Sequence, residues 1–510
     1  MFIEKEPALQ PLNEYNQTLM SRVHPPNWTN PKPADCYDLI VLGAGTAGLV
    51  VAAGTAGLGL GLKVALIEKG LMGGDCLNVG CVPSKCLIRS GRAAAEVRDA
   101  EVFGVRAQST EVDFTAVMQR MRKIRAEISE NDSAERFRNL GVDVFLGTAQ
   151  FTSKETVSVS GQELRFKKAV IATGARASRP NLPGLAEAGY LTNETVFSLT
   201  ECPKRLAVIG GGPIGCELAQ AFGRLGSEVI LLHKHGHLLD REDPDAAKIL
   251  QQQLQQENLH LILDCKLERV EVTPEGKAIY YRQNGTTQSI IVDEILVGAG
   301  RAPNVEGLNL EAVGVDCDSQ RGVFVNDYLQ TSNPRIYAAG DICMDWKFTH
   351  AADAAARIVI KNLFFSPFGL GRSKLSDLIM PWVTYTDPEI ARVGLDEKQA
   401  KDKGLKVDAI AIPLEKVDRA LADGETEGFV KIIHERGRII GATIVARHAG
   451  EMLNEITLAI ATKQGLSAIA GIIHPYPTQA EAIKKAADAY RRTLLTPRAQ
   501  FFLKLLSKLS

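Results

Sequence analysis

Two thiols stand five residues apart in the segment Gly73-Gly74-Asp75-Cys76-Leu77-Asn78-Val79-Gly80-Cys81-Val82-Pro83-Ser84-Lys85. A thiol reacts as its thiolate, and a helix N-terminus or a nearby cation favours that form. Pro83 predicts the first turn of a helix opening near Cys81, and Lys85 adds positive charge. Such a pair can close to a disulfide. Reduction then leaves one sulfur against an acceptor and the other free to attack a substrate. Zinc would want four ligands, and no second Cys/His pair of suitable spacing is evident. An inert buried pair is the remaining alternative, and the Gly-Cys-x-Pro surroundings argue against it. Cys86 reads as a packed small apolar residue. The other cysteines (Cys36, Cys202, Cys216, Cys265, Cys317, Cys343) are scattered. The total of 9 is odd, so the chain is no disulfide scaffold.

Redox chemistry at a cysteine pair needs an electron source, and two glycine turns offer places for one. Tyr37–Leu42 reads as a strand running into Gly43-Ala44-Gly45-Thr46-Ala47-Gly48, then a helical stretch, then a strand ending at Glu68. The first glycine permits the tight turn, the second lets a pyrophosphate approach the backbone, and the third lets helix and strand pack closely. The helix N-terminus offers free N–H groups to the anion. Glu68 stands where a carboxylate grips a ribose diol. The plan recurs with a strand at Leu206–Ile209, the turn Gly210-Gly211-Gly212-Pro213-Ile214-Gly215, a helix from Cys216, and a strand at Glu228–Leu232. Gly210, Gly212 and Gly215 are the cofactor-binding candidates there. In place of an acid, this strand ends on His233 and Lys234, which favour a 2′-phosphate and therefore NADPH over NADH. A turn without ligand, with His233 only capping the strand and Lys234 solvated, is the alternative.

These elements sit in a chain of 510 residues, enough for about three domains. Apolar residues make up 45% and charged residues 23%, with a formal net charge of -1, so there is no basic surplus for nucleic acid. The uncharged stretch 39–62 is long enough to span a bilayer but is broken by glycines into strand, turn and helix. Glu4 and Glu6 in a start without an apolar core predict no secretory signal and a cytoplasmic protein. Residues 1–35 read as a polar, Pro-rich N-terminal arm. After Met380, strand patterns at 407–412, 429–434 and 439–445 precede helical runs at 452–463 and 478–491, a separate α+β domain. The fold class is α/β: two Rossmann-like dinucleotide-binding domains plus a C-terminal α+β domain.

In combination these motifs resemble the pyridine nucleotide–disulfide oxidoreductase family, the group of lipoamide dehydrogenase, glutathione reductase and mercuric reductase. The likeness spans about residues 36–492. It rests on both glycine turns, Glu68, the Cys76/Cys81 pair, Ala172-Thr173-Gly174-Ala175, Gly298-Ala299-Gly300-Arg301-Ala302-Pro303-Asn304, and Tyr337-Ala338-Ala339-Gly340-Asp341. It implies an FAD-binding domain at 36–184 and 311–378, an NAD(P)-binding domain at 185–310, a dimerisation domain at 379–492, and a tail at 493–510. It implies FAD on Gly43, Gly45, Gly48, Glu68 and Asp341, with Gly74, Lys85, Gly300 and Arg301 as further cofactor-binding residues and Gly174 in the motif that links the FAD and NADPH domains. Cys81 would face the flavin and Cys76 would attack substrate, with Lys85 and Glu217 beside the flavin. The family is a homodimer in which the C-terminal domain completes the partner's active site.

One departure stands out. Relatives such as glutathione reductase place a His before Pro-Thr, followed by a Glu, as the acid–base pair. Here the segment is His474-Pro475-Tyr476-Pro477-Thr478-Gln479-Ala480-Glu481, so Tyr476 takes the His position and Glu481 the Glu position. A tyrosine titrates near 10 and is a poor base at neutral pH. Tyr476 resembles mercuric reductase, as do Arg241-Glu242-Asp243-Pro244 and Phe348-Thr349-His350-Ala351-Ala352-Asp353. Yet no Cys precedes residue 35, and no vicinal Cys pair lies near the C-terminus. No resident metal is expected; Cys76 and Cys81 would be the ligands if Hg(II) is the substrate.

The expected function is electron transfer from nicotinamide through FAD to the Cys76–Cys81 disulfide, and then to a small disulfide, a protein disulfide or a metal ion, a role in cell redox homeostasis. The alternatives are a redox-sensing flavoprotein and a diaphorase that bypasses the cysteines. In the tail, Phe501, Phe502, Leu505, Leu506 and Leu509 share a helical stripe with Lys504 and Lys508 outside it. Docking on its own dimer is the reading such stripes usually carry; peripheral membrane contact is the alternative.

Overall fold

A computed structural model describes residues 9–107, 111–298 and 300–509. The start of the arm, Ala299 in the Gly298–Asn304 motif and Ser510 of the tail lie outside the described residues. The chain forms two compact units, one of Met1–Gly210, Ala221–Leu232 and Cys265–Leu378, the other of Gly211–Gln220, His233–Asp264 and Ile379–Ser510.

In the first unit, apolar β-branched runs form a sheet whose parallel strands are Val142–Leu146, Val64–Glu68, Tyr37–Leu42 and Gln162–Ile171, in that order. Ile336–Ala338 lies parallel beside Gln162–Ile171. Where both faces of such a sheet are covered a strand is apolar without alternation, as the runs 39–42 and 64–67 are, while the first half of Gln162–Ile171 alternates. Leu39, Ile40, Val41 and Leu42 are all fully buried. The helix after the first turn, Thr46–Ala56, is rich in Ala and Gly because it lies close against this sheet. A second parallel set, Glu228–Leu232, Arg205–Ile209 and Glu294–Val297, repeats the plan. The helix after its turn runs Pro213–Arg224, three residues earlier than the Cys216 start expected, because Pro213 fits a first helical turn.

The arm is folded, not a free linker. Asn13 caps the helix Glu14–Val23, which buries Leu19 and Val23. Further on, Trp28 donates to Val144 O, and Asn30 exchanges two hydrogen bonds with Leu146. Polar side chains thus satisfy the backbone of the sheet's outermost strand.

The second unit carries a five-stranded antiparallel sheet in the order Pro381–Thr384, Glu389–Gly394, Arg438–Ala446, Phe429–Glu435, Asp408–Pro413. The helices Ala449–Ala461 and Glu481–Thr493 bury Leu453, Ile456, Ile483 and Ala487 in its core. The last helix, Pro497–Leu506, begins at a Thr496 cap and is exposed along its length. Among the described residues, no helix is long and apolar enough to cross a membrane.

Candidate active site

The first glycine turn is a cradle that side chains would fill. A Cβ on Gly43 would stand 2.4 Å from Ala172 O, and one on Gly48 only 1.8 Å from Gly43 O. A Cβ on Gly74 would meet Gly45 Cα at 2.6 Å. The pyrophosphate turn and the start of the cysteine segment therefore touch backbone to backbone, with Gly73 N–H donating to Ala44 O at 2.8 Å. That contact sets Cys76 two residues from the turn.

Glu68 ends its strand with one carboxylate oxygen on the turn and the other on the segment that follows the strand. One accepts from Ala44 N–H at 2.6 Å and the other from Gly70 N–H at 2.7 Å. Burial raises its pKa and the two donors oppose that shift. The carboxylate keeps lone pairs for a ribose diol. Gly174 lies at φ +67°, and its O accepts from Asn304 N–H at 3.0 Å, joining the Ala172–Ala175 motif to the Arg301–Asn304 segment. Gly300 also has a left-handed backbone, at φ +87°.

Arg301 ties three parts together. Its guanidinium contacts Asp75, donates to Ala175 O at 2.8 Å, and stands 3.3 Å from Asp341. Burial pushes the Asp341 carboxyl up, and Arg301 and Lys347 oppose it. A buried cation between two acids, one of them beside Cys76, fits the polar chain of a flavin dinucleotide, as does the all-glycine cradle.

The cysteine pair is shaped by Gly80. A Cβ there would fall 2.8 Å from Asp75 O, so only glycine lets the chain fold back over Asp75–Cys76. Cys81 then opens the helix Cys81–Arg98, with Pro83 in its first turn as expected. The two sulfurs come within hydrogen-bonding reach of each other, and that bond holds the Cys76 thiol far above the cysteine range. Burial and the nearby Asp132 carboxylate act in the same direction. Two thiols this close titrate as a coupled pair. Cys81 Sγ also lies 3.3 Å from Thr349 Oγ1, the first residue of the helix Thr349–Phe364. Two helix N-termini therefore converge on one sulfur, which favours its thiolate. Thr349 was not singled out as a site residue; only its place after Asp341 could have signalled it. Cys86 is buried, as a packing residue should be.

Lys85 Nζ lies 3.4 Å from Ser84 Oγ. Glu217 is buried and accepts from Tyr385 N–H at 2.9 Å.

In the second turn, Gly210 adopts φ +113°, Gly212 has open space where a Cβ would stand, and Gly215 is buried in the helix. His233 turns inward. Its Nδ1 accepts from Gly211 N–H at 3.0 Å, which places the ring proton on Nε2, where it donates to Asp240 at 2.9 Å. Both ring nitrogens are thus engaged within the turn. Lys234 is exposed beside it. Asp240, which also stands 3.6 Å from His235, had no sequence signal.

Tyr476 is 69% exposed and its hydroxyl donates to Asp418 at 3.0 Å. That hydrogen bond raises its pKa. Glu481 lies 3.4 Å from Lys485, and its Oε2 is buried without a hydrogen-bond partner. His474 is turned away into a pair with Glu455 at 2.9 Å.

Fold and site together define a redox protein with two dinucleotide turns and a dithiol beside the first. The chain belongs to the pyridine nucleotide-disulphide oxidoreductase family, which it matches over residues 37–356, with the family's dimerisation domain at residues 380–487. It is 36% identical to a mercuric reductase of Lysinibacillus sphaericus over 463 residues, 90% of this chain and 84% of the relative. It is 34% identical to a dihydrolipoyl dehydrogenase of Geobacillus stearothermophilus over 458 residues, 88% and 95% of the two chains. Among solved structures it resembles the HOCl-induced flavoprotein disulfide reductase RclA from Escherichia coli. That match has a TM-score of 0.78 at 26% identity, covering 89% of this chain and 99% of that one. The protein is an oxidoreductase of a family that uses FAD and a pyridine nucleotide, and its dimerisation domain points to a homodimer.

Proposed function

We propose that the protein passes electrons from NADPH, by way of FAD, to the Cys76–Cys81 disulfide, and from the dithiol to a disulfide or to Hg(II). The observation that carries this reading is the sulfur pair folded over Gly80, two residues from the contact between Gly74 and Gly45. FAD supplies the two-electron exchange between nicotinamide and disulfide. Gly43, Gly45, Gly48 and Gly74 leave room for its pyrophosphate, Glu68 would hold its ribose, and Asp341 with Arg301 its polar chain. Thr349 and the helix at Cys81 stabilise the Cys81 thiolate, and Cys76 attacks the acceptor once it has given up its proton. With a disulfide acceptor, NADPH and a proton yield NADP⁺ and two thiols; with Hg(II), the same electron pair yields elemental mercury.

Tyr476 decides between acceptors in this reading. Its hydroxyl is bound to Asp418 and its pKa is raised, so it is no proton acceptor for a leaving thiol at neutral pH. Glutathione and lipoamide disulfides are therefore poor substrates. NADPH consumption measured with oxidised glutathione, lipoamide, protein disulfides and Hg(II), in native protein and in Tyr476→His, tests this. Slow glutathione and lipoamide turnover that rises in Tyr476→His is expected. Robust glutathione turnover by the native protein contradicts it. For the exposed tail helix, we read the partner subunit as its cover, with an anionic membrane as the alternative.

A further inference from the structure

The arm lies outside the span matched by the family, yet it grips the segment that carries Cys76. At one end of that segment, His24 Nδ1 is 2.6 Å from Gly70 O, and Met72 N–H donates to Val23 O at 3.1 Å. At the other end the grip passes through Arg125, on the helix Phe114–Ile128. Arg125 is 2% exposed and donates to Asn78 O at 2.7 Å and to Asn16 Oδ1 at 2.6 Å. Asn78 is the last residue of the short helix Gly74–Asn78, and its own side chain ties back to Met72 O and Gly74 O at 3.1 and 2.8 Å. Arg22 fastens the arm to the same supporting helix, donating to Ala126 O at 2.6 Å.

Among the described residues Arg125 has no carboxylate partner. Among those residues its hydrogen bonds go to oxygens of Asn16 and Asn78. Burial lowers its pKa to about 10. A buried guanidinium with two neutral acceptors is a costly way to join surfaces, and it holds both acceptors to a fixed geometry.

We propose that residues 13–24 and Arg125 form a positioning element for the dithiol, holding Gly70–Asn78 so that Cys76 stays against Cys81 and the disulfide is favoured. This rests on the reading of Cys76–Cys81 as a redox pair. Asn16 and Arg125 are positioning residues: neither touches a sulfur.

The test is the equilibrium of the pair in FAD-loaded full-length protein against dithiothreitol, read by thiol alkylation and mass. Losing the charged hydrogen bond in Asn16→Leu should shift the disulfide–dithiol equilibrium about tenfold toward dithiol. Asn16→Asp keeps an oxygen for Arg125 and should return it to within about twofold of native. A thermal denaturation curve accompanies each variant. Asn16→Leu with lowered thermal stability but an unshifted equilibrium overturns the proposal, since a merely structural brace would behave that way. Arg125→Lys, which keeps the charge and loses the two-pronged grip, gives a second reading with the same expected direction, and an unshifted equilibrium there also overturns it. Cys76→Ser separates the two claims. If it leaves electron uptake unchanged, the redox-pair reading fails; if it removes the second electron pair while Asn16→Leu stays native, only the arm proposal fails.

Discussion

Replacing Arg301 with Met should loosen the link between the cysteine segment and the acid expected to hold the flavin chain. The Arg301 side chain is 17% exposed and Asp341 18%, while Asp75 is 40% exposed. Removing one member of a fully buried ion pair costs about 3–5 kcal/mol. With Asp75 partly in water, the Asp75 share is screened, and the loss comes to about 2–3 kcal/mol. At about 2–4 °C per kcal/mol, that is roughly 5–10 °C in apo-protein unfolding temperature. The pH dependence has a definite sign. Burial already raises the Asp341 pKa against the pull of Arg301. A carboxyl with a raised folded value is held best in its neutral form, and the stability it contributes is lost as pH rises through that value. Without Arg301 the folded value climbs further, so the deficit of Arg301→Met should be largest at neutral pH and shrink as the pH falls into the acid range where Asp341 is protonated. FAD retention after dialysis should fall in parallel. Thermal unfolding of native and variant apo-protein at several pH values measures this. A shift below about 1 °C at neutral pH, or a deficit that grows in acid, would refute the reasoning.

Gly74→Ala should cost most of the flavin content, because its Cβ would stand 2.6 Å from Gly45 Cα and cannot be relieved by a side-chain rotation; flavin absorbance per chain after purification measures it, and full occupancy contradicts it. Lys234→Glu should lower kcat/KM for NADPH about tenfold or more and leave that for NADH nearly unchanged; equal losses for both would assign Lys234 no part in 2′-phosphate binding. His233→Ala should destabilise the second turn by about 1–3 kcal/mol through the unpaired Gly211 N–H; its NADPH-to-NADH preference should stay as in native protein, and a switched preference would return His233 to the phosphate. Removing residues 497–510 should weaken the dimer in sedimentation, whereas native chain that pellets with phosphatidylglycerol vesicles, and truncated chain that does not, would place the tail on a membrane.

Much of the site was legible because its signals are local. Each glycine turn, the strand before it and the acid or cation after it lie within one short stretch. Gly43 is crowded by Ala172 and Thr173 from far along the chain, whereas the demands on Gly48 and Gly80 come from backbone close by in the chain. The same holds for Cys81 as the start of a helix. What the sequence hid depends on distant partners. His233 reads as a free cation until Gly211 N–H and Asp240 are seen to take both ring nitrogens. Arg301 reaches Asp75 across 226 positions, and Arg125 reaches Asn16 across 109. The packing of the arm is hidden in the sequence because its useful residues are polar. Asn16, Trp28 and Asn30 act by meeting buried backbone and guanidinium groups, and apolar periodicity does not report that.

The most direct test of the central claim is a reductive titration of the FAD-loaded protein under anaerobic conditions, beside the same titration of Cys76→Ser. The native chain should take up one electron pair for the flavin and a second for the disulfide, with a long-wavelength thiolate–flavin band after the first. Cys76→Ser should stop after a single pair. A native chain that also stops after one pair, without that band, would contradict the account.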